Sequence, residues 1–225
     1  VACEAALGLP LNRQTLPLLL HALLAHSELG AECERVLLGK LRSIHPSLVR
    51  DLVDFLLGQD GEMRADRLAA LFECAPQLPL FEILLEERQL PDWNPQHDEQ
   101  ATRARIWQQL VCAARQALER SPSVELVRLL LTRSSEDEGF ARRHARFLRA
   151  VVQRTDAVGG DDLIAHFERL TFRASEEKVA RLAQLLVELS ERLEGKTGAQ
   201  AVSLLENWKN RSADLRLKIY HFQNK

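Results

Sequence analysis

Strand-forming residues are scarce in this chain. Tyrosine occurs once, and valine, isoleucine and threonine together number 24 of 225 residues. β-Branched and aromatic side chains carry strands, so this scarcity excludes a β-rich fold. Glycine pairs are equally rare. The single one, Gly159-Gly160, is followed by Asp161-Asp162, where a P-loop needs Lys and then Ser or Thr. The pair therefore reads as a turn opening a helix, with both aspartates at the favourable N-terminus. The four cysteines, Cys3, Cys33, Cys74 and Cys112, form no CxxC. Metal sites usually carry at least one close pair, so these read as buried free thiols on helices in a reducing compartment. No apolar run reaches the roughly 18 uncharged residues that a membrane span needs. The closest approach, Leu16 to Leu24, is too short and holds His21. No basic stretch followed by an apolar one opens the chain, so no signal peptide is expected. Val1 in place of an initiator Met fits a processed or excised piece.

Leucine is what the chain has instead: 42 residues. Leucine is a strong helix former, so an all-α fold with a leucine core is expected. At 46% hydrophobic and 28% charged residues, the composition is that of a soluble globular protein and not of a disordered chain.

Helix signals recur at short intervals. Leu16, Leu19, Leu20, Leu23 and Leu24 form an i, i+3, i+4 stripe on a helix from about Arg13 to Ser27. Gly30 opens a second helix. Pro46 suits the first position of a third, and Gly58 its end. A fourth spans about 63–75 before Pro76, and a fifth about 79–89 before Pro91. The first stripe falls on Val49, Leu52, Val53, Leu56 and Leu57 of the third helix, an offset of about 33 residues, which is the period of helical-hairpin repeats. Any two amphipathic helices align fairly well at that spacing, because it is close to a whole number of turns, about nine. The expected architecture is a short helical-hairpin solenoid, HEAT- or TPR-like in layout, or two packed helical bundles.

The segment Leu90 to Pro95 holds two prolines and breaks the rhythm. It also marks a change of charge. Residues 1–95 carry 8 basic and 14 acidic residues, and residues 96–225 carry 22 and 18. An acidic N-terminal subdomain, 1–92, and a basic C-terminal one, 93–225, are expected, or one continuous domain. In the second, Asn94-Pro95 caps a long helix to about 120, and Ser121-Pro122 starts another that ends near Arg133. Ser135 with Glu138 reads as a capping box for a helix to about Arg154. Ser175 caps a helix ended by Gly195, and Thr197 with Gln200 reads as a second capping box. A last helix starts at about Ala213.

No HExxH or GxSxG signature is present. His166 and Glu168 lie on nearly opposite sides of a helix, a poor arrangement for shared ligation. Glu82, Glu86 and Glu87 read as a solvated acidic face. No metal or cofactor site is expected. The strongest candidate surface is Arg142, Arg143, Arg146 and Arg149. Arg142, Arg146 and Arg149 stand at i, i+4, i+7 on one basic stripe, above a buried side of Phe140, Phe147, Leu148, Val151 and Val152. Arginine suits bidentate contact with carboxylates or phosphates. Glu136, Asp137 and Glu138, one turn earlier, partly cancel the stripe. Net acidity sets the chain apart from most nucleic-acid binders. The expected function is a non-catalytic adaptor, scaffold or regulatory subunit that binds a protein, with an acidic one as a candidate, inside the cell and in the cytoplasm. The alternatives are nucleic-acid contact through residues 142–149, or a helical enzyme whose site assembles from scattered residues.

Overall fold

The computed structural model describes residues 10–25, 31–42, 44–59, 63–86, 98–154 and 159–224. Every regular element among them is helical. The α-helices are α1 (Leu16–Ala25), α2 (Ala31–Leu41), α3 (Val49–Leu57), α4 (Ala65–Cys74), α5 (Gln77–Phe81), α6 (Asp98–Arg120), α7 (Val124–Glu136), α8 (Glu138–Arg154), α9 (Gly160–Thr171), α10 (Glu176–Ser190), α11 (Gly195–Lys209) and α12 (Ala213–Gln223). A 3₁₀ turn at Pro46–Leu48 leads into α3, and α5 continues as a π-helical turn at Glu82–Glu86. No described helix is long and apolar enough to cross a membrane.

The chain divides into two compact units, Val1–Leu118 and Glu119–Lys225. The division expected at residues 92/93 lies outside the described residues, together with Trp93, Asn94 and Pro95. The charge contrast holds across the observed division. The first unit has 11 basic and 16 acidic residues, a net −5, and the second has 19 and 16, a net +3.

In the first unit, α1 packs on α2 and α3, α2 on α4, and α3 on α5. Helices α1, α2 and α3 thus each meet the next but one, the contact pattern of stacked helical hairpins. The stripe responsible is legible: Leu16, Leu19, Leu20 and Leu23 of α1 are buried, as are their counterparts Val49, Leu52, Val53 and Leu56 of α3. Pro46 opens the 3₁₀ turn as expected, and His45 caps it by accepting from the Ser47 N–H through Nδ1, 3.3 Å.

The second unit is built around α10. This helix touches α7, α8, α9, α11 and α12. Its sequence explains the position: Val179, Leu182, Ala183, Leu185, Leu186, Val187 and Leu189 are all buried. A helix apolar on most of its circumference is stable only inside a bundle. Phe167 and Trp208 pack beside each other in this core, with ring centroids 6.4 Å apart.

Helix ends account for most departures from the sequence reading. Ser135 lies in the last turn of α7, where its hydroxyl donates to the Thr132 carbonyl, 2.7 Å. Asp137 caps α8 instead; its carboxylate accepts the Phe140 and Gly139 N–H groups. Asp is as good a cap as Ser, and here it stands one residue before the helix. Ser123, rather than Ser121, caps α7, accepting from the Leu126 N–H at 3.2 Å. Gly195 opens α11 with φ +60 rather than ending α10, which stops at Ser190. Thr197 turns away from its own helix and donates to Asp161. Ser175 and Ser212 cap α10 and α12, accepting from the Lys178 N–H at 3.4 Å and the Leu215 N–H at 3.2 Å. Cys112 is a free thiol but an exposed one, and Cys74 is half-buried.

Candidate functional site

Helix α8 holds the four arginines on a firm base. Phe140, Phe147, Leu148, Val151 and Val152 are buried beneath them. The Phe140 ring also packs on His144, with centroids 4.5 Å apart. The structure brings the arginines onto one helix, but each ends in different surroundings. Arg142 reaches back one turn to Glu138, 2.9 Å, with both side chains well exposed. Arg143 lies 3.8 Å from Asp137. Gly139 makes room for this: a Cβ there would sit 3.1 Å from both the Arg143 Nη1 and the Asp137 Oδ1. The Phe140 N–H, then the Gly139 N–H and the Arg143 charge, hold the Asp137 carboxyl below the usual carboxylate range.

Arg149 points down to α10, where its Nε is 3.5 Å from Glu188 Oε1. The same oxygen accepts from Gln184 Nε2 at 3.2 Å. Arg146 is exposed and makes no ion pair among the described residues. The outward charge of the face therefore rests on Arg142 and Arg146, with Arg143 at its edge. Arg149, also exposed, is paired across to Glu188 of α10.

Other arginines answer a different need. The last carbonyls of a helix have no partner within it, and its C-terminus carries partial negative charge. Arg67, itself buried, donates from Nη1 to the Leu23 carbonyl at the end of α1, 2.9 Å. Arg154 does the same for Glu119 at the end of α6, 3.4 Å. Arg181 caps Ser135 at the end of α7, 3.1 Å, and Arg211 caps Thr171 at the end of α9, 3.0 Å. Three basic residues of the second unit, Arg154, Arg181 and Arg211, thus serve its internal architecture. Sequence alone gives no sign of this, because each cap joins residues 35 to 46 positions apart.

A buried histidine network joins α7 to α9. Thr132 gives its one hydroxyl proton to the Arg128 carbonyl, 2.8 Å. It must therefore accept from His166 Nε2, 3.0 Å away. Arg169, which can only donate, lies 2.6 Å from His166 Nδ1. Both contacts fit the neutral Nε2–H tautomer alone. Burial, then the charges of Arg169 and Arg128, push the His166 pKa below its ordinary value. Arg128 also pairs with Asp162 on α9, 3.2 Å. His166 was legible as a helical residue, but its partner on α7 was not.

In the first unit a cleft of about 660 Å³ lies between α2 and α4. Arg35, Arg42, Glu73 and Cys74 supply its polar walls, so it carries both signs of charge. Among the described residues, no three His, Cys, Asp or Glu side chains converge as metal ligands. Glu82 is exposed and Glu86 half-buried on the π-helical turn, whereas Glu87 lies outside the described residues. No protein-family model matches the chain, and no curated protein or solved structure matches it.

Proposed function

We propose that this chain is a non-catalytic interaction module whose α8 arginine face binds an acidic surface of a partner protein. The observation that supports this reading is the state of Arg142 and Arg146. Arg146 is exposed without an ion pair among the described residues, and Arg142 is paired only across an exposed turn of the same helix. Exposed pairs of that kind contribute about 0–1 kcal/mol, so exchanging Glu138 for a partner's carboxylate costs little. The backbone beneath is already fixed by the five buried apolar residues of α8, which keeps the entropy cost of docking small.

The test is affinity capture with the wild-type chain and with an Arg142→Glu, Arg146→Glu variant, followed by mass spectrometry. The expected result is a protein retained by the wild type and lost from the variant, with the variant's thermal unfolding nearly unchanged. Identical retained sets would remove α8 as the docking face. Retention of nucleic acid, with an affinity falling steeply as salt rises, would favour phosphate as the partner chemistry instead.

A further inference from the structure

The second unit is a stack of three hairpins, α7–α8, α9–α10 and α11–α12. Across the stack α7 packs on α9 and α9 on α11, while α8 packs on α10 and α10 on α12. The two seams between these hairpins are built differently.

Apolar packing closes the seam between α9–α10 and α11–α12. Trp208 packs on Phe167. Leu215 and Ile219 of α12, which lies on α10 and α11, are fully buried. Gly160 lets α9 and α11 approach closely: a Cβ there would sit 2.8 Å from both Leu193 Cδ2 and Thr197 Cγ2. Thr197 and Arg211 add hydrogen bonds, to Asp161 and to the Thr171 carbonyl. One buried polar atom at this seam, Trp208 Nε1, has no hydrogen-bond partner among the described residues.

Polar side chains bridge the seam between α7–α8 and α9–α10. Thr132 accepts from His166, Arg128 pairs with Asp162, Arg181 donates to the Ser135 carbonyl, and Arg149 pairs with Glu188. Three of these bridging residues are only partly satisfied. Arg128 Nε, Arg181 Nε and Glu188 Oε2 are buried without a hydrogen-bond partner among the described residues. Such an atom has given up its water for nothing, so a half-satisfied network holds two surfaces together less well than apolar packing does. The two ion pairs add little, because the Asp162 side chain is 71% exposed and that of Arg149 49%.

We propose that α7–α8 is a separately opening element, which parts from α9–α12 along this polar seam while α9–α12 keep their packing. Helices α7 and α8 have 13 and 17 residues. Helices of about that length are marginal in water without packing, so the freed hairpin unfolds as one piece. Opening breaks the Arg149–Glu188 pair and dissolves the helix that carries Arg142 and Arg146. On the reading of α8 proposed above, the arginine face is therefore conditional on a closed seam. The opening itself takes place in the free chain and can be refuted while that reading stands.

Hydrogen exchange of the full chain, followed by mass spectrometry at one pH, tests this. The slow amides of α7 and α8 should exchange together, at least about tenfold faster than those of α10 and α11 once intrinsic rates are divided out. Two mild variants separate the opening from global unfolding. Ile219→Val weakens packing that survives the opening, so it should speed exchange in α10 and α11 by about fivefold and leave α7 and α8 unchanged. Thr132→Val leaves the His166 N–H without its acceptor in the closed state alone, so it should speed all four helices by a similar factor. Equal protection across α7–α11, or faster exchange of α7 and α8 in Ile219→Val, would show one cooperative unit and overturn the proposal. Earlier exchange of α11 than of α7 and α8 would place the weak seam on the other side, also against it. Indifference of α7 and α8 to Thr132→Val would refute an opening along this seam.

Discussion

Leu186→Ala should be among the most damaging single substitutions in the second unit. Leu186 is fully buried on α10, the helix that touches the unit's five others. Removing three carbons forfeits roughly 2 kcal/mol of apolar transfer energy, at about 0.8 kcal/mol per methylene. The space left behind adds a cavity cost, because a helix held from several sides cannot move inward to fill it. The two together give about 3–4 kcal/mol, within the 2–5 kcal/mol found for leucine truncation in packed cores. Leu217→Ala, on the exposed side of α12, supplies the control and should cost under about 0.5 kcal/mol. Trp208, fully buried in the same core, gives a local readout once Trp93 and Trp107 are replaced by Phe. Urea titrations followed by Trp208 fluorescence would then compare the two variants in one background. A cost below about 1 kcal/mol for Leu186→Ala, or equal costs at both positions, would refute α10 as the centre of the unit.

Other substitutions test single features. His166 has a folded pKa below its unfolded value of about 6.5, so the unfolded chain takes up the proton first on acidification. Its contribution is therefore fully present above pH about 6.5 and is lost as pH falls toward the folded pKa. Urea midpoints at pH about 7.5 and 5.5 should fall further in the wild type than in His166→Gln; equal falls would contradict the neutral tautomer. Ser134 is buried and its hydroxyl has no hydrogen-bond partner among the described residues. Ser134→Ala should therefore stabilise the second unit by about 1 kcal/mol, a rise in Tm of a few degrees, whereas destabilisation would mean that the hydroxyl is bound. Arg67→Met should cost about 2 kcal/mol by leaving the Leu23 carbonyl without its charged donor, and an unchanged urea midpoint would show the cap to be inert.

The parts of this fold that a sequence can reveal are those written in local periodicity. The stripe of α1 and its echo in α3 led to hairpin stacking because apolar residues at i, i+3 and i+4 have one way to be buried. The run from Val179 to Leu189 marked a strong helix. That it is the hub of the second unit depends on helices far away in the chain, which periodicity does not encode. Caps were half legible. Ser175 was found, but Ser135 and Asp137 are two residues apart and chemically near-equivalent, so the choice fell to the packing of the α7–α8 corner. The arginines of α8 were visible as a stripe. The pairing of Arg149 with Glu188 was not, because Glu188 lies 39 positions away. The apolar outer side of α12 is not legible in the sequence, because nothing local separates Leu217 and Tyr220 from Leu215 and Ile219, which fill the core.

The most direct test of the interaction reading is a calorimetric titration of the captured partner against the wild-type chain and the Arg142→Glu, Arg146→Glu variant. The expected result is an affinity about tenfold or more weaker for the variant, restored when a contacting acidic residue of the partner is changed to lysine. Equal affinity for both chains, with no response to the charge swap, would contradict it.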